Sequence, residues 1–92
     1  MNDSTIRRRL IVHGRVQGVF FRDATRRTAQ REGVAGSAGN RCDGTVEVVL
    51  EGPPGAVERV IAFCREGPDS ARVEEVEVTS EEPEGLTSFA TD

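Results

Sequence analysis

Val12-His13-Gly14-Arg15-Val16-Gln17-Gly18-Val19-Phe20-Phe21-Arg22 is the stretch that decides how this 92-residue chain is read. It leaves an apolar strand, passes two glycines and enters a helix that starts beside an arginine. Glycine takes positive φ at little steric cost, so the backbone can curl until successive N–H groups point inward. The helix N-terminus adds partial positive charge there, and Arg22 adds a full charge on a planar fork. Such a segment is suited to holding a phosphate.

Working outward, the second informative stretch is Gly39-Asn40-Arg41-Cys42-Asp43-Gly44-Thr45-Val46-Glu47-Val48. It places a neutral amide, Asn40, at the end of one strand just before an Asp-Gly hairpin turn. Together the two stretches resemble the acylphosphatase family, whose pattern is Gly-x-Val-Gln-Gly-Val-x-Phe-Arg and then, after a helix, Asn-x-x-Asp-Gly-x-Val-Glu. Both parts are present in order, and the resemblance covers nearly the whole chain. Where family members carry a Trp-Val pair before the asparagine, this chain has Ser37-Ala38-Gly39, and its tail Phe89-Ala90-Thr91-Asp92 lacks the usual aromatic or basic ending.

The remaining sequence fits the fold that this resemblance implies. Ile6 to His13 alternates around Leu10 and Val12 and predicts a strand. A first helix starts near Phe21 or Arg22, with Asp23 in its first turn and a narrow stripe of Phe21, Ala24, Thr25, Thr28 and Ala29, and stops at Gly33. Val34 to Asn40 is the second strand of the family fold, although Gly36-Ser37-Ala38-Gly39 has little β propensity of its own. Thr45 to Glu51 follows as a strand, and Gly52-Pro53-Pro54-Gly55 breaks the chain. Val57, Val60, Ile61 and Cys64 mark the inner face of a second helix that Gly67-Pro68 ends. Val73, Val76 and Val78 belong to a fourth strand in which Glu74-Glu75 disturbs the alternation and marks a bulge. Glu81-Glu82-Pro83-Glu84-Gly85 is expected to be a solvated acidic loop, and Leu86 to Ala90 a short last strand. The result is an α+β, ferredoxin-like βαββαβ sandwich: one antiparallel sheet of order 4-1-3-2 with two helices on one face.

The length suits one domain over residues 1–92, with 1–5 expected to be disordered. No apolar run approaches the ~18 residues of a membrane span, and no signal peptide is visible, so a soluble, cytoplasmic protein without membrane partners is expected. The formal charge of −4 hides an asymmetry: residues 1–41 hold nine arginines and three acids, residues 42–92 three arginines and thirteen acids. An arginine-rich first part draws anions toward the glycine loop, while Arg7, Arg8, Arg9, Arg26, Arg27 and Arg31 read most simply as solvated faces. Cys42 in a polar turn and Cys64 on a helix stripe are expected to be free thiols. One histidine and no Cys-x-x-Cys pair cannot assemble a zinc site.

No Gly-x-x-x-x-Gly-Lys motif and no Ser/His/Asp set is present, and His13 reads as a structural residue rather than a base. What remains is enough for one kind of hydrolysis. A carboxylate, with a pKa of about 4, leaves without a proton, whereas an alkoxide, near the ~16 of water, needs an acid or a metal. The family resemblance implies the same chemistry: metal-free, cofactor-free cleavage of the carboxyl-phosphate anhydride of a small acyl phosphate. Inorganic phosphate or sulfate would be a product-like ligand. By the same resemblance Arg22 binds the phosphoryl oxygens, Asn40 orients the water, and the backbone of Arg15, Val16, Gln17, Gly18, Val19 and Phe20 forms the cradle. A monomer is expected. The rival is a non-catalytic ferredoxin-like module that binds an anion or a partner. Nucleic acid is disfavoured, because the predicted central strands lack aromatics and the C-terminal half is acidic.

Overall fold

A computed structural model describes residues 4–91. The chain order is β1 (Ile6–Arg15), α1 (Phe21–Glu32), β2 (Ala35–Asn40), β3 (Val46–Gly52), α2 (Pro54–Glu66), β4 (Arg72–Glu81) and β5 (Phe89–Thr91). The sheet order is β4-β1-β3-β2-β5. The four expected strands stand in the expected order, each antiparallel to its neighbours among them, and the short fifth strand extends the sheet beside β2, to which it runs parallel. The sheet is therefore mixed. The expected disorder over 1–5 falls mainly outside the described residues.

Alternation along the strands sorts the two faces. Leu10 and Val12 of β1 and Val46, Val48 and Leu50 of β3 are fully buried among Phe21 and Ala29 of α1 and Val57, Val60 and Cys64 of α2. The helices meet over small side chains, with Thr25 Oγ1 lying 3.9 Å from Cys64 Sγ. The expected bulge is present. His13 pairs with Glu75 and Gly14 with Val73, which leaves Glu74 as the extra residue.

On the other face the expectation of solvated arginines is corrected. Arg7 is 5% exposed: its Nη1 donates to Glu51 at 2.6 Å and its Nε to Glu81 at 2.8 Å. Arg9, half-buried, bridges Glu81 and Glu47 at 2.7 Å each. Register explains this, because Arg7 stands opposite both Glu51 and Glu81 across the two ladders. Residues 82–85 of the expected acidic loop are exposed, as expected, although their backbone is tied to the sheet. Glu81 belongs to β4, and the buried Glu51 carboxylate accepts the backbone N–H groups of Glu84, Gly85 and Leu86. Glu51 thereby anchors the connection that returns the chain to β5.

Candidate functional site

Between β1 and α1 the backbone turns left-handed twice, at Gly18 (φ 73°) and at Phe20 (φ 63°, ψ 17°). Gly18 needs its missing Cβ for conformation rather than space, since no heavy atom lies within 4 Å of where that carbon would be. Phe20 has no such excuse. A non-glycine residue in this region is disfavoured by roughly 1 to 2 kcal/mol. Phe20 is also the N-cap of α1 and supplies no side-chain cap, so the first-turn donors of the helix stay open. A hydrogen-bonded turn closes around Gln17 and Gly18, and the bonding of α1 starts with the Ala24 N–H, which donates to Phe20 O at 3.0 Å.

Arg22 occupies the first turn of α1 and lines a hollow of about 280 Å³ with Val16, Gly18, Phe20 and Thr91. Among the described residues its guanidinium makes neither an ion pair nor a side-chain hydrogen bond. Its neighbours are already committed, because Asp23 pairs with Arg26 and Arg27, and those contacts hold its carboxyl below the usual carboxylate range. The charge left open at the helix start is thus that of Arg22. Arg15, expected in the cradle, ends β1 and stands opposite Arg72 in the sheet. Val16 packs into the core beneath the loop.

Asn40 ends β2, exposed and opposite Val46. It does not line the hollow around Arg22. The turn after it is built by Asp43, whose Oδ1 accepts from the backbone N–H and the hydroxyl of Thr45 at 3.0 and 2.6 Å. The link between the two parts of the site is Gln17. Its Nε2 donates to Arg41 O at 2.8 Å and Thr45 O at 2.9 Å, so the glycine loop grips the turn that follows Asn40. Sequence reasoning gave Gln17 only a backbone role. Its partners lie 24 and 28 residues downstream, and no local pattern announces such a contact.

The remaining chemistry-bearing residues lie elsewhere. His13 Nε2 pairs with Glu77 on the open face of the sheet. Cys42 is exposed and Cys64 buried, and neither forms a disulfide. Among the described residues no three His, Cys, Asp or Glu side chains gather to hold a metal. No helix there is long and apolar enough to cross a membrane.

An uncapped helix start and, among the described residues, an arginine without an ion-pair partner stand on a βαββαβ frame with a short fifth strand, a small α+β domain. The acylphosphatase family model matches residues 8–91. An acylphosphatase of Gloeobacter violaceus is 56% identical over 86 residues, spanning 94% of this chain and 92% of the relative. The crystal structure of acylphosphatase from Bacillus subtilis superposes with a TM-score of 0.91 at 35% identity, covering 95% of this chain and 98% of that one. An acylphosphatase structure from Coxiella burnetii gives 0.91 at 30% identity, over 96% of this chain and 93% of that one. The chain belongs to the acylphosphatase family.

Proposed function

We propose that this acylphosphatase hydrolyses the carboxyl-phosphate anhydride of a small acyl phosphate with its backbone, one arginine and one asparagine. The observation that carries the proposal is the uncapped start of α1, where, among the described residues, the Arg22 guanidinium has neither an ion-pair nor a side-chain hydrogen-bond partner. The phosphoryl oxygens sit against the backbone of residues 15–20 and the guanidinium of Arg22. Asn40, at the end of β2 just before the turn that Gln17 grips, orients a water toward phosphorus. The water oxygen forms the new P–O bond, the bond to the acyl oxygen breaks, and its electron pair leaves on the carboxylate. The water's proton passes to a phosphoryl oxygen of the substrate. No general acid is required, because the leaving carboxylate is a weak base. Donors already aimed at the charge need no reorganisation as the transition state forms.

The same proposal makes the protein a cytoplasmic monomer that works without metal or cofactor and binds no nucleic acid. Acetyl phosphate, benzoyl phosphate and p-nitrophenyl phosphate, offered in excess EDTA, test it. The two acyl phosphates should turn over and the phosphomonoester should not. Failure to cleave either acyl phosphate, or cleavage that EDTA removes and Mg²⁺ restores, overturns it.

A further inference from the structure

Phe20 is the most exposed large apolar residue among the described residues. The residue is 79% exposed, while its backbone is held in the left-handed region at φ 63°. Burial therefore returns little for the strain, and a glycine or an asparagine would adopt the same backbone with less of it. The ring stands at a boundary. It lines the hollow that contains Arg22, and it lines a second hollow of about 310 Å³ on the outer side of the helices, where Ala24, Thr28, Phe63 and Pro68 form an apolar floor. Arg27 and Arg31 rim this second hollow, and Arg27 is tied to Asp23. A molecule whose phosphoryl group occupies the first hollow has its remaining atoms beside this ring.

We propose that Phe20 is the specificity-determining residue for the acyl half of the substrate, a ring platform that favours acyl phosphates with a flat aromatic or apolar acyl group over small ones. The inference rests on the hydrolase reading and deepens it. Exposed aromatic surface beside a polar cradle gains from covering by a second ring, through both apolar burial and offset stacking. Phe63 and Pro68 extend the same surface away from the phosphate. An acetyl group is too short to cover the ring and gains little from it.

The test compares kcat/KM for benzoyl phosphate and acetyl phosphate in the wild type, Phe20→Asn, Phe20→Gly and Phe20→Tyr. The ratio of the two substrates removes any general disturbance of the cradle, and comparing that ratio between variant and wild type removes their intrinsic difference in reactivity. Phe20→Asn keeps a residue that accepts left-handed backbone and removes the ring. Its ratio should fall about three- to tenfold, chiefly through a higher KM for benzoyl phosphate. Phe20→Tyr should hold the wild-type ratio, and Phe20→Gly should behave as Phe20→Asn does. Because the ring is exposed, the melting temperature should stay level or rise in the Asn and Gly variants, which separates specificity from misfolding. An unchanged ratio in both of these variants overturns the role of Phe20. Absence of turnover with either substrate in the wild type instead overturns the hydrolase reading itself.

Discussion

Gln17 and Thr45, 28 residues apart, are joined by a hydrogen bond from Nε2 to the carbonyl oxygen at 2.9 Å, and the second hydrogen of the same amide reaches Arg41 O at 2.8 Å. Both carbonyls also accept within the turn, from Arg41 N–H and Gly44 N–H, so the amide braces a turn that is already closed. Its effect is to fix the distance between the glycine loop and the residues next to Asn40. Gln17→Ala should lose about 1 to 2 kcal/mol of stability. Because small misplacement of a positioning group is expensive in rate, kcat should fall roughly 10- to 100-fold. The inhibition constant of inorganic phosphate should change far less. Gln17→Glu should be worse, since a carboxylate only accepts and would face two carbonyl oxygens. Steady-state kinetics with phosphate as competitive inhibitor check this, and equal losses in inhibition and turnover would count against a positioning role.

Arg22 and Asn40 should separate cleanly by the same measurements. Arg22→Ala removes the open charge at the hollow and should weaken phosphate inhibition while lowering kcat by about 10² to 10³. Arg22→Lys should restore little, because a point charge does not reproduce two parallel N–H contacts. Asn40→Ala should keep phosphate inhibition within a few fold and lose most of kcat, as befits a group that acts mainly in the transition state. Near-normal turnover in either alanine variant would remove that residue from the mechanism.

The elements that could be read from sequence were those encoded by local periodicity. The α2 stripe of Val57, Val60, Ile61 and Cys64 is buried as its spacing implied, and the Glu74 bulge follows from the broken alternation. β2 was different. Gly36-Ser37-Ala38-Gly39 has poor strand propensity, and it forms because β3 and β5 pair with it on either side. A Cβ at Gly36 would stand 1.7 Å from Val49 O, so the residue that weakens the propensity is the one that lets the strands approach. The parallel pairing of Gly36 with Phe89 and the burial of Arg7 against Glu51 join distant segments, and their physical cause lies in the partner strand. In the site, Arg22 and Asn40 were visible as motif positions, whereas the side chain of Gln17 and the exposure of Phe20 belong to the folded chain alone.

Acid should loosen the molecule through the open face of the sheet. Hydrogen bonds from Arg9 and then Arg7 pull the Glu81 carboxyl down to about 2 from 4.5. Burial would push the Glu51 carboxyl up, but the N–H groups of Glu84, Leu86 and Gly85 together with Arg7 outweigh it and leave it lowered. Carboxyls lowered in the folded state contribute stability that is fully present above their unfolded values and is lost as pH falls through the folded ones. For Glu81 that window runs from about 4.5 down to about 2. Urea midpoints measured across it should decline, and Glu81→Gln should flatten the decline. Glu51→Gln should lower stability at neutral pH by on the order of 3 kcal/mol, since it removes the negative charge nearest the buried Arg7 and replaces one acceptor oxygen with an NH2 donor. A Glu81→Gln slope equal to that of the wild type would place the acid sensitivity elsewhere.

The two thiols should differ in the native protein by more than accessibility. Burial pushes the Cys64 thiol up to about 12, only partly offset by the Thr25 hydroxyl beside it, so near neutral pH it is both covered and protonated. Cys42 lies exposed in the β2–β3 turn, next to Arg41, whose carbonyl Gln17 holds. A limiting thiol reagent at pH 8 should therefore modify Cys42 alone, with Cys64 labelled at the rate of unfolding and promptly only in denaturant. Cys42→Ser should abolish the fast phase. A bulky adduct at Cys42 crowds the turn that follows Asn40, so turnover should fall while the far-ultraviolet circular dichroism stays native. Peptide mapping by mass spectrometry decides the order of labelling: rapid native modification at Cys64 would mean that the packing between α1 and α2 opens far more readily than the Thr25–Cys64 contact implies.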